Sequence, residues 1–306
     1  MEMIKALDQA LAKAEMLEPV TVAVAAAEDI EVLEAVRDAK KRNIAQFRLF
    51  GDQQHIESLS EKVGLELTSD EVIHTKSHLE ACAKAVEAVR IDRADVVMKG
   101  MVHSSDFLRA VLNKEKGLRT GKVLSHVAVF EAPGYDRLIH ITDPALNVAP
   151  TLQEKKQILE NVIEFCHSLG NENPKIACLA AVEVVNPNMP PTVEAAVLTQ
   201  MNRRGQIKGA VIDGPFGLDN AVSIRAAKHK KIDSEVAGRA DVLLVPDIEA
   251  GNLLYKSLVY FGGSHLGGLV LGARNPVILT SRADTHESKL YSIALAVIQA
   301  SYQKNV

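Results

Sequence analysis

The stretch VTVAVAAAEDIEVLEAVRDAKKRNIAQFRLFG (residues 20–51) contains two short apolar runs separated by a charged segment. The runs at 20–27 and 46–51 are largely apolar, as strands buried on both faces of a sheet are. The segment at 30–42 repeats its apolar residues at the spacing of an amphipathic helix. A strand, a helix and a second strand in this order predict a parallel sheet covered by helices, which is the α/β class.

The alternation continues along the chain and is interrupted once. Residues 125–144, SHVAVFEAPGYDRLIHITDP, predict two antiparallel strands joined by a Pro-Gly turn, with no helix between them. We interpret this hairpin as a domain junction, with a first α/β domain at 1–135 plus about 278–306 and a second at 136–277. The other predicted helices cover 3–15, 54–63, 77–90, 151–168, 192–203, 221–229, 251–259 and 288–301, and the other predicted strands cover 94–98, 175–182, 209–213, 242–246 and 277–280.

The composition narrows the class of protein. A chain of 306 residues with 47% apolar content can bury the cores of two domains. The net charge of -4, the absence of Trp and the interspersed charges argue against a nucleic-acid partner. Cys82, Cys166 and Cys178 have no metal-binding or redox spacing, so we predict reduced packing thiols. With no long apolar span, we expect a cytoplasmic protein that neither enters a membrane nor is exported.

Polar residues follow several predicted strands, where open α/β sheets bind their ligands. After the strand at 94–98 come Lys99, Gly100 and His103, and then Ser104 and Ser105 open a helix. Free backbone N–H groups at a helix N-terminus attract anions, so this loop is a candidate phosphate site. Simple capping of the helix by Ser104 or Ser105 fits the same residues, and His103 alone is typical of a structural histidine.

Two loops in the second half of the chain resemble this one. Asp213 ends a strand and precedes a Gly214–Pro215 turn, for which turn chemistry with Asp219 as a helix cap is a sufficient alternative. Asp247 ends the next strand, and Asn252 and Lys256 follow at the start of a helix. Backbone amides near this helix start can take a phosphate, or Asp247 or Asn252 can simply cap the helix beside a solvated Lys256.

The stretch PVILTSRADTHESK (276–289) carries the most complete candidate anion site. An apolar strand delivers Ser281 and Arg282 to its carboxyl end, and Asp284 and Glu287 follow. A guanidinium grips phosphate through two parallel hydrogen bonds, which favours a ligand over a surface ion pair of Arg282 with Asp284 or Glu287.

Other motifs are excluded by their spacing. GLRTGKV (117–123) lacks the first Gly of a phosphate-binding loop and the hydroxyl residue after Lys. GGSHLGG (262–268) does not match a dinucleotide fingerprint, and we predict a flexible bend there. The sequence has no nucleophile elbow and no His pair at metal spacing with a carboxylate, so we expect neither a hydrolase nor a metal site.

Five blocks together resemble the phosphate acetyl/butyryltransferase family, most closely its phosphate butyryltransferase branch. They are KGMVHSSD (99–106), ITDPALN (141–147), DGPFGLDNA (213–221), PDIEAGNLLYKSLVYF (246–261) and TSRAD (280–284). The resemblance implies two α/β domains similar to isocitrate and isopropylmalate dehydrogenases, an interdomain active site, and a homodimer or an assembly of dimers. It also implies the reaction of acyl-CoA with inorganic phosphate to give acyl phosphate and CoA, without a bound cofactor or metal.

The resemblance assigns roles to individual residues. Arg282 is expected to hold phosphate, and Ser281 to hydrogen-bond the thiol sulfur or the oxyanion. Acetyl-specific relatives carry an Asp base seven residues after the Ser, where this chain has Ser288. Glu287 ranks ahead of Asp284 as its replacement, and the missing Asp also fits a noncatalytic CoA-ester-binding protein.

A second departure from the acetyl-specific relatives lies at Tyr260 and Phe261, where those relatives carry an Arg. The two aromatic side chains fit either an apolar pocket for a longer acyl chain or ordinary core packing. The resemblance to the phosphate butyryltransferase branch makes butyryl-CoA the expected substrate and acetyl-CoA the alternative.

Overall fold

The computed structural model describes residues 2–281 and 284–305. In chain order its helices and strands are α1 (Leu7–Glu15), β1 (Val20–Ala25), α2 (Ile30–Lys41), β2 (Ala45–Gly51), α3 (Gln53–Val63), β3 (Val72–His74), α4 (His78–Arg90), β4 (Val96–Lys99), α5 (Ser104–Val111), β5 (Ser125–Glu131), β6 (Ile139–Thr142), α6 (Leu152–Ser168), β7 (Lys175–Leu179), α7 (Pro190–Arg203), β8 (Val211–Phe216), α8 (Leu218–Val222), α9 (Ile224–His229), β9 (Val242–Leu244), α10 (Ile248–Tyr260), β10 (His265–Leu271), β11 (Val277–Ile278) and α11 (His286–Asn305). The predicted α/β class is confirmed.

The described residues form two compact units. The terminal unit contains Leu7–Lys122 and the chain from Leu266 onward, and the central unit contains the residues up to Ala6 together with Val123–His265. The chain therefore passes from one unit to the other before the hairpin of β5 and β6 rather than within it. Helix α11 belongs with the strands of the N-terminal third of the chain.

The terminal unit is built on six strands in the order β3-β2-β1-β4-β11-β10. The pairs β1–β2, β2–β3, β1–β4 and β4–β11 are parallel, as the apolar character of β1, β2 and β4 predicts. Strand β10 is antiparallel to β11. Helix α4 packs on β1, and α11 packs against both α1 and α2. The sheet is thus parallel except at β10.

The flexible bend predicted at 262–268 is wrong, because strand β10 begins at His265. Only His265 of its seven residues is exposed, and the strand continues through the apolar residues Leu269–Leu271. A Cβ on Gly267 would lie 3.0 Å from the backbone nitrogen of Ser292 in α11. The glycine therefore permits the close packing of α11 on this strand, and a glycine cluster that looks like a bend is part of the sheet.

The central unit contains five strands in the order β5-β6-β9-β7-β8. The predicted antiparallel hairpin is confirmed, since Val127 pairs with Thr142 and Phe130 with Ile139. The remaining pairs are parallel. The turn predicted at Gly214–Pro215 is wrong, because both residues lie within β8, which runs to Phe216.

The three cysteines are buried and unpaired, which confirms the prediction that they are packing residues. Burial raises the pKa of the Cys82 thiol to about 11 and that of Cys178 to about 12, so neither is a thiolate at neutral pH. Among the described residues, no helix is both long and apolar enough to cross a bilayer.

Candidate active site

Strands β1, β4 and β11 end together at one edge of the terminal sheet. Ala25 at the end of β1 pairs with Lys99 at the end of β4, and Ile278 at the end of β11 pairs with Met98. Because these strands are parallel neighbours, the segments after them leave the sheet on the same side. The register therefore brings the loop after Lys99 and the segment beginning at Thr280 to the same place, as the sequence predicts for strand ends in this class.

Lys99 and Gly100 are held tightly at this edge. The Lys99 side chain is only 3% exposed, and its Nζ donates to the carbonyl oxygens of Gly100 (3.2 Å) and Val102 (3.3 Å). A Cβ on Gly100 would lie 2.0 Å from the carbonyl oxygen of Ala26. Gly100 is therefore required by the close approach of the β1 and β4 loops, whether or not its amide also contacts a ligand.

Helix α5 begins beside this loop with its hydroxyl residues exposed. His103 is the N-cap residue and makes no side-chain capping bond within the described chain, while Ser104 and Ser105 occupy the first two helical positions. The alternative in which Ser104 or Ser105 caps the helix is therefore wrong. Asp106 forms an ion pair with Arg109 at 2.9 Å. The exposed hydroxyls and the first backbone N–H groups of α5 together present hydrogen-bond donors to solvent.

Ser281 and Asp284 lie between β11 and α11 and are hydrogen-bonded to each other, and this described pair is called the turn below. The Ser281 N–H donates to Asp284 Oδ2 at 2.7 Å, and the Asp284 N–H donates to the Ser281 carbonyl at 3.2 Å. Ser281 is exposed, whereas the hydroxyl of the preceding Thr280 is buried without a partner among the described residues. Arg282 lies outside the described residues. The turn thus presents a serine beside a buried hydroxyl with unused hydrogen-bonding capacity.

Burial alters the ionisation of two groups on this turn and the helix that follows. Burial raises the pKa of the Asp284 carboxyl, although the Ser281 N–H and the charges of Lys289 and Lys99 act in the opposite direction. Burial likewise lowers the pKa of the Lys289 ammonium, against the stabilising charges of Asp29, Asp284 and Glu31. Asp284 is therefore the carboxyl of this turn whose titration shifts toward neutral pH.

Glu287, ranked first as a replacement for the missing carboxylate, and Ser288, which stands where the carboxylate is missing, have different surroundings. Glu287 is exposed, and its Oε1 accepts a long hydrogen bond of 3.5 Å from the hydroxyl of Tyr291, which also contacts Asp8. Ser288 lies in the first turn of α11, where its N–H and hydroxyl each lie 3.3 Å from the hydroxyl of Thr285. Ser288 therefore forms its hydrogen bonds with Thr285 at the start of the helix.

A group of possible cation ligands lies on the neighbouring surface of the same unit. Single side-chain atoms of Glu31, Glu34 and His286 come within 4.8 Å of one another, and all three side chains are partly exposed. His286 Nδ1 lies 3.6 Å from an oxygen of each glutamate, and its backbone N–H donates to Glu31. These contacts between members account for the group as a polar cluster that joins α2 to α11.

The central unit uses its predicted polar residues differently. Asp247 caps α10 by accepting the Ala250 N–H at 2.8 Å, which confirms the capping alternative. Asp213 accepts the N–H of Gly214 and lies 3.8 Å from Arg203, while Asp219 is not the cap of α8, since Gly217 is. The carboxylates after these strands therefore serve local structure.

Two further residues of α10 were predicted to contact ligand. Asn252 donates to the Pro144 carbonyl at 3.5 Å and is half-buried, whereas Lys256 is exposed. Gly251 packs directly against the β6 loop, since a Cβ there would lie 2.8 Å from Pro144 Cα. That loop is closed by Asp143, whose carboxylate accepts three successive backbone N–H groups from Ala145 to Asn147.

The aromatic residues at the end of α10 are on the surface. Tyr260 is 72% exposed and Phe261 is 91% exposed. Core packing, one of the two alternatives for these residues, is therefore wrong.

A family model described as Phosphate acetyl/butaryl transferase matches residues 70–297, well over half of the chain. The chain belongs to this family. Members of the family are similar to it over nearly their whole length: it is 51% identical over 298 residues to the phosphate butyryltransferase of Clostridium acetobutylicum, covering 97% of this chain and 99% of the relative. It is 45% identical over 279 residues to the phosphate acetyltransferase of Thermotoga maritima, covering 91% and 95%.

A solved structure of a related enzyme has the same fold as this phosphate acetyl/butyryltransferase family member. The branched-chain phosphotransacylase of Enterococcus faecalis V583 superposes with a TM-score of 0.80 at 35% identity, covering 92% of this chain and 99% of that one. The fold described above is therefore shared by a phosphotransacylase.

Three charged residues near the candidate site of this family member were not predicted from its sequence. Glu28 and Asp29 come three and four residues after the end of β1 and are buried, and Lys289 on α11 is 2% exposed. The signal for the first two was present, because a charged pair after an apolar run marks a strand end. Lys289 gave no such signal, since it lies one turn into a helix where lysine is ordinary.

Proposed function

We propose that this chain is a phosphate acyltransferase that converts butyryl-CoA and inorganic phosphate into butyryl phosphate and CoA. The observation that carries the proposal is the 51% identity to a phosphate butyryltransferase over 97% of the chain. The anion-binding features at the edge of the terminal sheet support it, because both substrates bring phosphate groups to the protein.

The proposed phosphate and CoA contacts come from three segments. In the terminal unit the buried Lys99 and the exposed N-terminus of α5 supply positive charge and donors near the end of β11. Lysine is a compact point charge that suits phosphate, and backbone N–H groups at a helix start add directed donors. We assign phosphate or CoA contacts to Lys99, Gly100, His103, Ser104 and Ser105, and in the central unit to Asn252 and Lys256.

The chemical step requires phosphate and thioester to be held together while the carbonyl oxygen gains charge. We assign phosphate to Arg282 and the oxyanion or thiol sulfur to Ser281, since donors aimed at developing charge account for large rate effects. The exposed position of Ser281, next to a buried hydroxyl without a described partner, supports this role.

The departing CoA thiolate takes up a proton, and the reverse reaction removes it. The sequence ranks Glu287 ahead of Asp284 for this task, but the contacts favour Asp284. Its carboxylate is bonded to Ser281, and burial raises its pKa toward the working range of a general base. Glu287 is exposed and lies on the side of α11 that also carries Tyr291, one turn further along the helix. We therefore assign the base to Asp284, with Glu287 as the alternative.

A thiol-release assay tests the function. Butyryl-CoA is mixed with the protein and a thiol-reactive chromophore, with and without inorganic phosphate. We expect CoA release only when phosphate is present, because phosphate is the acyl acceptor. Phosphate-independent release indicates a thioesterase, and no release indicates a noncatalytic CoA-ester-binding protein, the alternative that Ser288 favours.

The same assay decides the acyl group. Acetyl, propionyl, butyryl, isobutyryl and valeryl thioesters are compared by kcat/KM. We expect butyryl-CoA to give the highest value; a maximum at acetyl-CoA would assign the chain to the acetyl side of the family, as the 45% identity to a phosphate acetyltransferase favours.

We further propose that the protein has the dehydrogenase-like fold that the family resemblance implies. We also propose that it works in the cytoplasm without a permanent cofactor or metal.

Finally, we propose that the protein is a homodimer. The apolar face of α10 supports an association surface, since Leu253, Tyr260 and Phe261 are 68%, 72% and 91% exposed. A groove of about 600 Å³ beside Leu254 and Leu258 extends this apolar surface. Light scattering of the purified chain and of Phe261→Asp checks it: we expect a dimer and a monomer respectively.

A further inference from the structure

Lys289 is a buried lysine beside the reactive turn. It is only 2% exposed, although lysine is among the residues that proteins bury least often. Its Nζ donates to the backbone carbonyl of Asp284 and lies 3.5 Å from the carbonyl of Ser281. A buried ammonium persists only where acceptors and opposite charges compensate for the lost water.

The two carbonyls belong to the two ends of one turn. The turn is closed within itself by the Ser281 and Asp284 hydrogen bonds, and Lys289 joins both ends to α11. Most of α11 beyond this point is buried, so the helix is a rigid support. Through Lys289, the position of Ser281 is tied to the packed core of the terminal unit.

Three carboxylates interact electrostatically with the Lys289 ammonium. Asp29 approaches from the end of β1, Glu31 from α2 and Asp284 from the turn itself, while Lys99 at the end of β4 also acts on Asp284. Asp29 is already engaged in capping α2, since it accepts the Val32 N–H at 2.9 Å. The ammonium therefore interacts with acidic groups on three different segments of the chain.

We propose that Lys289 is a positioning residue for Ser281, which it places by holding the backbone carbonyls of Ser281 and Asp284 on α11. The inference rests on the proposed acyltransferase function. A displacement of about 1 Å at a reacting group lowers the rate about 10²-fold, so loss of this support is measurable without any loss of substrate contact.

A double-mutant cycle tests the inference. Lys289→Met removes the charge and the N–H donors but keeps a side chain of similar length. We expect it to lower kcat for butyryl-CoA about 10²-fold in the otherwise unchanged enzyme. In the Ser281→Ala background the same substitution should lower kcat less than about 3-fold, because the group that Lys289 positions is gone. Equal losses in both backgrounds would overturn the inference and leave Lys289 a purely structural residue.

A second readout does not depend on activity. Hydrogen exchange of the peptide that contains Ser281 and Asp284 should become faster in Lys289→Met, because the turn loses its attachment to α11. Unchanged protection of this peptide would overturn the inference even in a wild-type protein that proves inactive.

Matched variants separate positioning from general destabilisation. Gln299→Met replaces another buried polar residue of α11, three turns away, and should leave kcat and the exchange of the turn unchanged. If Lys289→Met does not fold, Lys289→Arg keeps the charge among Asp29, Glu31 and Asp284, and a smaller kcat loss that again disappears with Ser281→Ala is expected. Absence of phosphate-dependent CoA release by the wild type would refute the proposed function, whereas normal kcat in Lys289→Met would refute only the role of Lys289.

Discussion

The terminal and central units both place polar residues directly after parallel strands, yet they use them for different purposes. At the ends of β4 and β11, Lys99 is buried, Ser281 is exposed and the Thr280 hydroxyl has no partner among the described residues. Asp213 within β8 and Asp247 after β9 satisfy nearby backbone N–H groups. Polar residues near strand ends thus leave a hydroxyl available to a ligand in the terminal unit. In the central unit they accept hydrogen bonds from the local backbone.

The difference shows what distinguishes a binding edge from a structural one. A carboxylate that caps a helix has its oxygen occupied, whereas the buried Lys99 ammonium, held by carbonyl oxygens, brings a positive charge to the edge of the sheet. We therefore expect substitutions in the terminal unit to affect turnover and equivalent ones in the central unit to affect stability or substrate binding.

The largest expected difference is between Arg282→Ala and Lys256→Ala. Removal of the guanidinium should lower kcat/KM for butyryl-CoA about 10³-fold, the upper range for one charge-stabilising donor. Lys256 is exposed, so its removal should change mainly the KM for CoA esters, by less than about 10-fold. Steady-state kinetics over both substrates measures the two effects. A folded Arg282→Ala variant with normal kinetics would contradict the assignment.

Close backbone approaches give the next comparison. A Cβ at Gly100 would lie 2.0 Å from the Ala26 carbonyl oxygen, and one at Gly251 would lie 2.8 Å from Pro144 Cα. We expect Gly100→Ala to lower the free energy of unfolding by about 3 kcal/mol and Gly251→Ala by about 1 to 2 kcal/mol. Urea denaturation measures both values. A reversal of the order would show that the central loop is the more rigid one.

The proton-transfer assignment is sharpened by the pH dependence of kcat/KM in the direction of acyl-CoA formation. A general base works in its ionised form, so activity should fall as the pH drops through the pKa of Asp284, which burial raises. Asp284→Asn should lower the rate about 10²-fold and abolish this acidic limb. Glu287→Gln should keep the limb and most of the rate; the opposite pattern would assign the base to Glu287.

The smallest effect is expected for the cap of α10. Asp247→Ala removes the acceptor for the Ala250 N–H and should lower the free energy of unfolding by about 1 kcal/mol, with kcat unchanged. Asp29→Ala removes an equivalent cap from α2 but also a charge that faces Lys289, so we expect it to lower kcat as well. If Asp247→Ala and Asp29→Ala changed kcat equally, the proposed distinction between a binding edge in the terminal unit and a structural edge in the central unit would be wrong.

Much of this organisation was predictable from residue types. Strands β1 and β4 are mostly apolar on both faces and β2 is largely apolar, and the segments that follow them contain Gly, Ser and charged residues, so both the sheet and its binding edge could be inferred. Strand β10 was missed because glycines at 262, 263, 267 and 268 resemble a loop. Gly267 allows α11 to pack closely on the strand, and sequence alone does not reveal that neighbour.

The candidate site was predictable to a similar extent. Ser281 and Lys99 follow strands and belong to recognisable motifs, whereas Lys289 has no motif and gains its importance from burial beside two carbonyls. Position along a helix does not reveal which face meets a turn eight residues upstream. The contribution of such a residue depends on contacts that form only when the chain folds.

The sequence by itself determined the α/β class, the polar strand ends and the family, because apolar periodicity and short motifs are local properties of the chain. Tertiary structure decided that the segment from Leu266 onward joins the N-terminal strands, and that β4 and β11 are neighbours. It also decided that Lys289 contacts the turn at Ser281. These outcomes depend on which distant segments pack together, and packing is selected by the burial of the whole chain rather than by any one segment.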